Sequence, residues 1–214
     1  MTETHTDHTA ARQRKQRSDG ARSRSAILHE AAQLATLEGI GGLSIGRLAE
    51  AVGMSKSGLF AHFGSKEELQ LATIDTAAAI YSEQVIEPAM AVAPGLERLK
   101  SLGEHFLLHV EHSVFPGGCF FASVLAEVDT HPGPVRDSAM RITDEWFRQV
   151  EGAVREAQAA GEIDPAEDPG QLAFEIDSYL LMANAIFVAT QSPTPMERAR
   201  RAVERRLAEA APKG

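Results

Sequence analysis

Residues 55–66 combine small, polar and basic side chains with a few apolar ones. A helix of about eight residues from this point would present four polar groups on its outer side: Ser55, Lys56, Ser57 and His62. Leu59 and Phe63 fall on the opposite, buried side. Hydroxyl, ammonium and imidazole groups can bind base edges and phosphate oxygens. The pattern is typical of a short helix that lies in the major groove of DNA.

A second amphipathic helix precedes this segment. Its apolar residues recur at helical spacing and are Leu43, Ile45, Leu48, Ala49 and Val52. Ser44 is expected to cap this helix, and Ser55 to cap the next one, by accepting hydrogen bonds from free backbone N–H groups. Gly53 provides the backbone freedom that a sharp turn between two helices needs. The two segments predict a helix-turn-helix.

A third helix is expected to begin directly after Phe63 and Gly64. Ser65 and Glu68 have the spacing of a capping box, with the serine at the N-cap. Lys66 lies in the first turn of this helix, where free N–H groups and the helix dipole already favour an anion such as a phosphate.

The charge of the chain is unevenly distributed. Residues 1–64 hold eight Lys and Arg against six Asp and Glu, a net charge of +2, whereas residues 65–214 hold thirteen against twenty-four, a net charge of −11. Six of the basic residues stand close together near the N-terminus: Arg12, Arg14, Lys15, Arg17, Arg22 and Arg24. DNA should therefore attract the N-terminal part and repel the remainder, which would orient the molecule.

The segment VGMSKSGLFAHFGSKEEL resembles the signature of TetR-type transcriptional regulators, and the resemblance extends over residues 25–70. It implies a disordered basic arm over 1–21, a three-helix DNA-binding domain over 22–67 and an effector-binding and dimerisation domain over 68–214. Phe60 stands where the family usually has a tyrosine that contacts a DNA phosphate, and Gly58 where it often has a threonine. The residues expected to contact DNA are Arg22, Arg24, Ser44, Ser55, Lys56, Ser57, Gly58, Phe60, His62 and Lys66.

The remainder of the chain has the periodicity of helices and no alternating strand pattern, so the predicted fold class is all-α, a helix-turn-helix domain followed by a helical bundle. A first helix is expected over 22–38, ending at Gly39. A connecting helix is expected from 65 to about 87, limited by Pro88. Further helices are expected over about 95–113, in the apolar segment 119–129, and over 135–160, 169–190 and 195–210.

The helix predicted over 169–190 is apolar on nearly every side, with Glu175 and Asp177 as its few charges. Such a helix must be buried all round, either in its own chain or against a second subunit. We expect a homodimer in which this helix and the helix over 135–160 form a four-helix bundle about a two-fold axis. The resemblance to TetR-type regulators also implies a dimer, which would bind a pseudo-palindromic double-stranded DNA operator.

In TetR-type regulators the middle helices surround a pocket for a small molecule, which implies an effector here. Such pockets are mainly apolar, with a few polar groups that fix orientation. The candidate lining residues are His105, Phe106, His109, Cys119, Phe120, Ser123, Trp146, Tyr179, Met182 and Asn184. Most aromatic residues at helical spacing are nevertheless expected to be core. The expected function is a repressor that a small, largely apolar effector releases from DNA.

An alternative is a metal- or thiol-responsive regulator. His105, His109 and His112 fall at i, i+4 and i+7 and share a helix face, and Cys119 follows nearby. The competing interpretation is a solvated or pocket-lining histidine flank, because no second cysteine or carboxylate cluster completes a metal site. We therefore expect no metal and no cofactor.

Several other classes are disfavoured by the sequence. No apolar run approaches the eighteen residues of a membrane span, and the polar N-terminus lacks the apolar core of a secretory signal. The single cysteine excludes an intrachain disulfide and fits a reducing cytoplasm. No nucleotide-binding glycine loop or nucleophile motif indicates an enzyme, since the glycines at 41–46 follow a helix and not a strand.

Overall fold

The computed structural model of the protein describes residues 23–212, and within that range every regular element is helical. Helix α1 covers 23–38, followed by α2 (Ile45–Ala51), α3 (Lys56–Phe63), α4 (Lys66–Tyr81), α5 (Glu87–Met90), α6 (Leu96–Glu111), α7 (Phe120–Val128), α8 (Pro134–Ala159), α9 (Pro169–Thr190) and α10 (Thr194–Glu209). The all-α prediction is confirmed. The arm over 1–21 and Arg22 lie outside the described residues.

The start of each helix in the N-terminal head follows from local hydrogen bonds. The hydroxyl of Ser44 accepts from the N–H of Arg47 at 3.2 Å, and that of Ser55 from the N–H of Gly58 at 3.1 Å. Ser65 caps α4 through the N–H of Glu68, but its own N–H donates to the carbonyl of Phe63, so only half of the predicted capping box forms. These caps and the turn at Gly53 separate three short helices.

Two clusters of buried apolar side chains organise the chain. The head cluster joins α1, α2 and α3 through residues such as Leu28, Leu48 and Leu59. The body cluster is built mainly by α6 to α10. Helices α1 and α4 contribute to both clusters, since Leu69 packs in the head and Ile74 in the body. The head is thus connected to the body through α1 and α4.

The prediction that Pro88 ends the connecting helix is wrong. Helix α4 continues through a π-helical turn (Ser82–Ile86) into α5, where Pro88 lies in the first turn. A proline has no N–H, and its ring collides with the carbonyl four residues earlier in a regular α-helix. The wider turn just before Pro88, in which the N–H of Glu87 reaches the carbonyl of Ser82, is the local departure from α-geometry at this point.

Helix α8 packs against α4, α6, α7 and α9. Trp146 and Val150, which the sequence suggested for a bundle between subunits, are buried in the core of their own chain. The outward side of α8 instead carries charged residues such as Asp144 and Arg148. The dimerisation role predicted for the helix over 135–160 therefore has no exposed apolar face to support it.

Helix α9 is central to the body, and its composition differs from the prediction that no segment is apolar enough to span a membrane. By length and composition it could cross a membrane, although the sequence was expected to contain no such run. In the structure it packs against α6, α8 and α10, which is how the core helix of a helical body behaves. Residues 23–212 leave part of its surface uncovered, where four large apolar side chains are exposed: Phe174, Leu181, Met182 and Ile186.

Candidate nucleic-acid interface and ligand cavity

The outer face of α3 carries the polar groups predicted from the sequence. Ser55, Lys56 and Ser57 are exposed, and the two serine hydroxyls lie 3.3 Å apart. Phe60 adds an aromatic ring with 54% of its surface exposed. Leu59 and Phe63 are buried beneath this face and hold α3 on the head cluster. The face combines two hydroxyl groups, one ammonium group and one aromatic ring, which no other described part of the chain covers.

His62, predicted for this face, and Arg24, predicted to contact DNA beside it, both lie against Phe63. His62 is only partly exposed, because its ring lies against that of Phe63 with 6.1 Å between the ring centroids. The guanidinium of Arg24 lies over the same Phe63 ring, 4.9 Å from its centroid. Arg24 is exposed at the start of α1, so it extends the basic surface beside α3.

Lys66 is exposed but already has one partner. Its ammonium group donates to the carbonyl of Gly41 at 2.6 Å, which links the start of α4 to the loop after α1. An ammonium group has three N–H donors. Two remain for a phosphate oxygen, so this contact positions Lys66 at the edge of the head without using up its charge.

A second set of contacts joins the head to the body. The carboxylate of Glu127, on α7, accepts hydrogen bonds from the N–H groups of Ile40 and Gly41, each at 2.7 Å. A Cβ atom at Gly41 would collide with this carboxylate, so glycine at that position permits the approach. A carboxylate that accepts two backbone N–H bonds forms charge-assisted, and therefore stronger, hydrogen bonds.

Helix α4 holds the opposite edge of the same loop. The side-chain amide of Gln70 donates to the carbonyl of Ile40 at 2.6 Å, and Lys66 holds the carbonyl of Gly41. The N–H groups of residues 40 and 41 are thus bound by the body, and their carbonyl groups by α4. We call residues 39–41 with these three side chains the junction loop.

A cavity of about 180 Å³ lies in the body between α4, α6, α7, α8 and α9. Phe106, Cys119 and Trp146 line it, as the sequence predicted. The other lining residues are Tyr81, Phe121, Ala122, Leu125, Ile142, Thr143, Phe147, Phe174, Asp177, Ser178 and Leu181. The walls are mainly apolar and aromatic, which is the composition of a small-molecule site.

The cavity contains one buried acid. Oδ1 of Asp177 accepts a hydrogen bond from the indole N–H of Trp146 at 2.7 Å, and 3% of the residue is exposed. Burial raises the pKa of Asp177 above its usual value, and the bond from Trp146 partly opposes this. The edge of the Tyr81 ring faces the same indole, with 5.6 Å between centroids.

Several residues predicted for the pocket lie elsewhere. Phe120 packs between Phe115 and Phe121, and Asn184 accepts from the N–H of Cys119 at 2.8 Å. His105 is bonded to Ser101 one turn earlier, and Ser123 to the carbonyl groups of Gly117 and Cys119. Tyr179 and Met182 line a groove between α9 and α10. The prediction for Tyr179 and Met182 is wrong because the rotation of α9 turns Asp177, and not these two residues, toward the cavity.

The three predicted histidines do not converge. His112 is exposed, His105 is partly buried, and His109 is fully buried against the rings of Tyr81 and Phe115. Burial lowers the pKa of His109 to about 4, so the ring is neutral. Within residues 23–212 no three His, Cys, Asp or Glu side chains form a group that could hold a metal.

Glu127 and Asp177 are among the site residues that the sequence did not single out, together with Gln70 and most of the apolar cavity lining. Glu127 accepts hydrogen bonds from Ile40 and Gly41, which lie 87 and 86 residues earlier in the sequence. No local sequence pattern indicates partners at that distance. Asp177 could have been noticed because it is an acid within a largely apolar helix. Burying a carboxylate costs free energy, so such a residue often has a specific role.

Two family models cover most of the chain. The model for bacterial regulatory proteins of the tetR family matches residues 27–73, and that for the tetracyclin repressor-like C-terminal domain matches residues 95–203. The chain therefore belongs to the TetR family of DNA-binding transcriptional regulators.

Individual relatives agree with this assignment. The transcriptional regulator AcuR of Cereibacter sphaeroides is 23% identical over 158 residues, which cover 72% of this chain and 71% of AcuR. A TetR transcriptional regulator from Chloroflexus aurantiacus has a TM-score of 0.83 and 26% identity over 90% of this chain and 97% of that structure. AibR, solved with isovaleryl coenzyme A and operator DNA, has a TM-score of 0.68 and 26% identity over 89% and 100%.

The environment of Cys119 predicts an inert thiol. Burial raises the pKa of Cys119 to about 11, so at pH 7 roughly one thiol in ten thousand is ionised. A disulfide reagent should therefore react with the native protein at least about 100-fold more slowly than with the urea-unfolded protein, and the rate should rise with pH. Equal reaction rates of Cys119 in the native and the unfolded protein would contradict this prediction and would support a thiol-responsive regulator.

Proposed function

We propose that the protein is a cytoplasmic repressor that binds a pseudo-palindromic operator as a homodimer and leaves it when a small, largely apolar effector enters the body. The observation that carries this proposal is the position of Glu127. It lies on α7, the helix that supplies Phe121 and Leu125 to the cavity, and it binds the junction loop at the base of the head.

The uncovered side of α9 supports the homodimer. Phe174, Met182 and Ile186 are 59%, 60% and 41% exposed and fall on one face of the helix. A contiguous apolar face of this kind marks an interaction site. The groove between α9 and α10 continues it, so we assign the interface to these two helices and not to α8. Two heads related by a two-fold axis would read two half-sites about 34 Å or more apart.

The head supports a division of roles at the operator. Ser55, Lys56, Ser57, Gly58 and Phe60 lie at the α3 face that enters the major groove and reaches base edges. We assign phosphate contacts to Ser44, His62 and Lys66 at its borders and to Arg24 beside it. Arg22, which lies outside the described residues, stays a predicted phosphate contact. The acidic body stays outside the grooves.

The junction loop gives a physical route for release. An effector in the cavity that displaces α7 moves Glu127, and Glu127 holds the N–H groups at the base of the head. Release requires that the effector prefers the conformation that does not bind DNA. A 100-fold preference corresponds to about 2.7 kcal/mol, which is enough for substantial derepression.

Selection of bound sequences from random DNA tests the operator and the roles of two side chains. The wild-type protein should select a motif with two-fold symmetry. Ser57→Ala should select an altered motif, because it removes a group facing the bases. Lys66→Ala should keep the motif, weaken all sites alike and reduce the slope of log K against log salt by about 1.

Thermal unfolding of both variants is the control, since Lys66 also binds Gly41 within the head. A wild-type motif without two-fold symmetry contradicts the dimeric operator complex. Altered specificity in Lys66→Ala, with none in Ser57→Ala, contradicts the division of roles.

Glu127→Ala tests the junction loop. The change removes two charge-assisted bonds that fix the head, so operator affinity should fall about fivefold or more, as measured by gel retardation. Asp129→Ala is the matched control, because it removes an exposed acid two residues later on the same segment. Equal affinities for Glu127→Ala and the wild type would show that the junction loop does not govern the head.

A further inference from the structure

The cavity has an unusual balance of polar groups. Among its lining residues only Asp177 is an acid, and none is a lysine, arginine or histidine. Oδ1 of Asp177 is bound to Trp146, while Oδ2 accepts no hydrogen bond from the described part of the chain. The remaining polar side chains of the walls are hydroxyl and thiol groups.

A carboxylate in this position lacks the partner that buried charges normally have. Removing a charge from water is costly unless a counter-charge and hydrogen bonds replace the water. The indole N–H supplies one bond, and no cation in the cavity wall supplies a charge. A ligand that brought a positive charge and N–H donors would satisfy this group.

The aromatic walls favour the same kind of ligand. Six of the lining residues are aromatic: Tyr81, Phe106, Phe121, Trp146, Phe147 and Phe174. The faces of aromatic rings attract cations, most strongly where water is excluded. These rings and Asp177 together would surround a positively charged group on several sides, and the same rings accept an apolar body.

The volume restricts the size of the ligand. An apolar cavity of about 150 Å³ holds benzene. At about 180 Å³, this cavity holds a single ring with a few additional atoms in the form described here.

We propose that the cavity binds a compact apolar molecule that carries one protonated amine, and that the amine donates hydrogen bonds to Oδ2 of Asp177. This inference rests on the effector role proposed for the cavity and specifies the chemical class of the effector. It distinguishes amines from neutral hydrocarbons, alcohols and carboxylates of the same size.

Fluorescence titration tests the proposal directly, because Trp146 is the single tryptophan of the chain and lines the cavity. Benzylamine, benzyl alcohol, toluene and benzoate have similar sizes and differ in charge and hydrogen-bond donors. Benzylamine should bind about tenfold or more tightly than toluene and benzyl alcohol, since a charge-assisted bond is the added interaction. Benzoate should not bind.

Asp177→Asn removes the charge and keeps an oxygen for the indole N–H. Benzylamine should bind this variant about tenfold or more weakly, while toluene should bind as it does to the wild type, which shows that the cavity is intact. Asp144→Asn, an exposed acid on α8, is the control and should leave all affinities unchanged. If Asp177→Asn fails to fold, the comparison of the four compounds on the wild-type protein still tests the proposal.

Toluene or benzyl alcohol binding as tightly as benzylamine, benzylamine binding equally to Asp177→Asn, or no binding of any of the four compounds would overturn the proposal. Operator binding, measured on the same protein samples, distinguishes a failure of the ligand proposal from a failure of the proposed function. Loss of the amine preference with operator binding retained overturns only the ligand class, whereas absence of operator binding overturns the regulator itself.

Discussion

The peptide groups of Ile40 and Gly41 are held from both sides at the point where the head meets the body. Glu127 binds the two N–H groups from the body, while Gln70 and Lys66 bind the two carbonyl groups from α4. Side chains on two different helices therefore fix one short loop. Ile40 is buried, whereas Gly41 is exposed. The N–H and carbonyl groups of Ile40 therefore have few alternative partners, so a shift of α7 relative to α4 would break their bonds or carry the loop with it.

Helix α9 has three surfaces with different surroundings. One side packs in the body core, one side presents Asp177 to the cavity, and one side leaves Met182 and Ile186 exposed. Phe174 and Leu181 line the cavity and are also exposed, so the cavity lies close to the uncovered face. The cavity and the proposed interface thus share a helix, so a ligand bound in the cavity would lie beside the uncovered face of α9.

The sequence predicts what depends on neighbouring residues. The caps at Ser44, Ser55 and Ser65 and the bounds of α8 to α10 follow from local hydrogen bonds and periodicity. Packing between distant segments decides the rest. A helix that is apolar all round does not reveal its rotation, so the sequence predicts Tyr179 in the cavity wall, whereas the structure has Asp177 there. The partner of Glu127 lies more than eighty residues away, and a π-helical turn precedes Pro88 where a helix end was expected.

Amide hydrogen exchange at Ile40 and Gly41 tests the role of the junction loop most directly. Operator binding selects one orientation of the head, so it should stabilise the bonds to Glu127. We expect both amides to exchange about tenfold or more slowly in the operator complex than in the free protein, and Glu127→Ala to abolish the difference. Equal exchange rates in the free and operator-bound protein would contradict it.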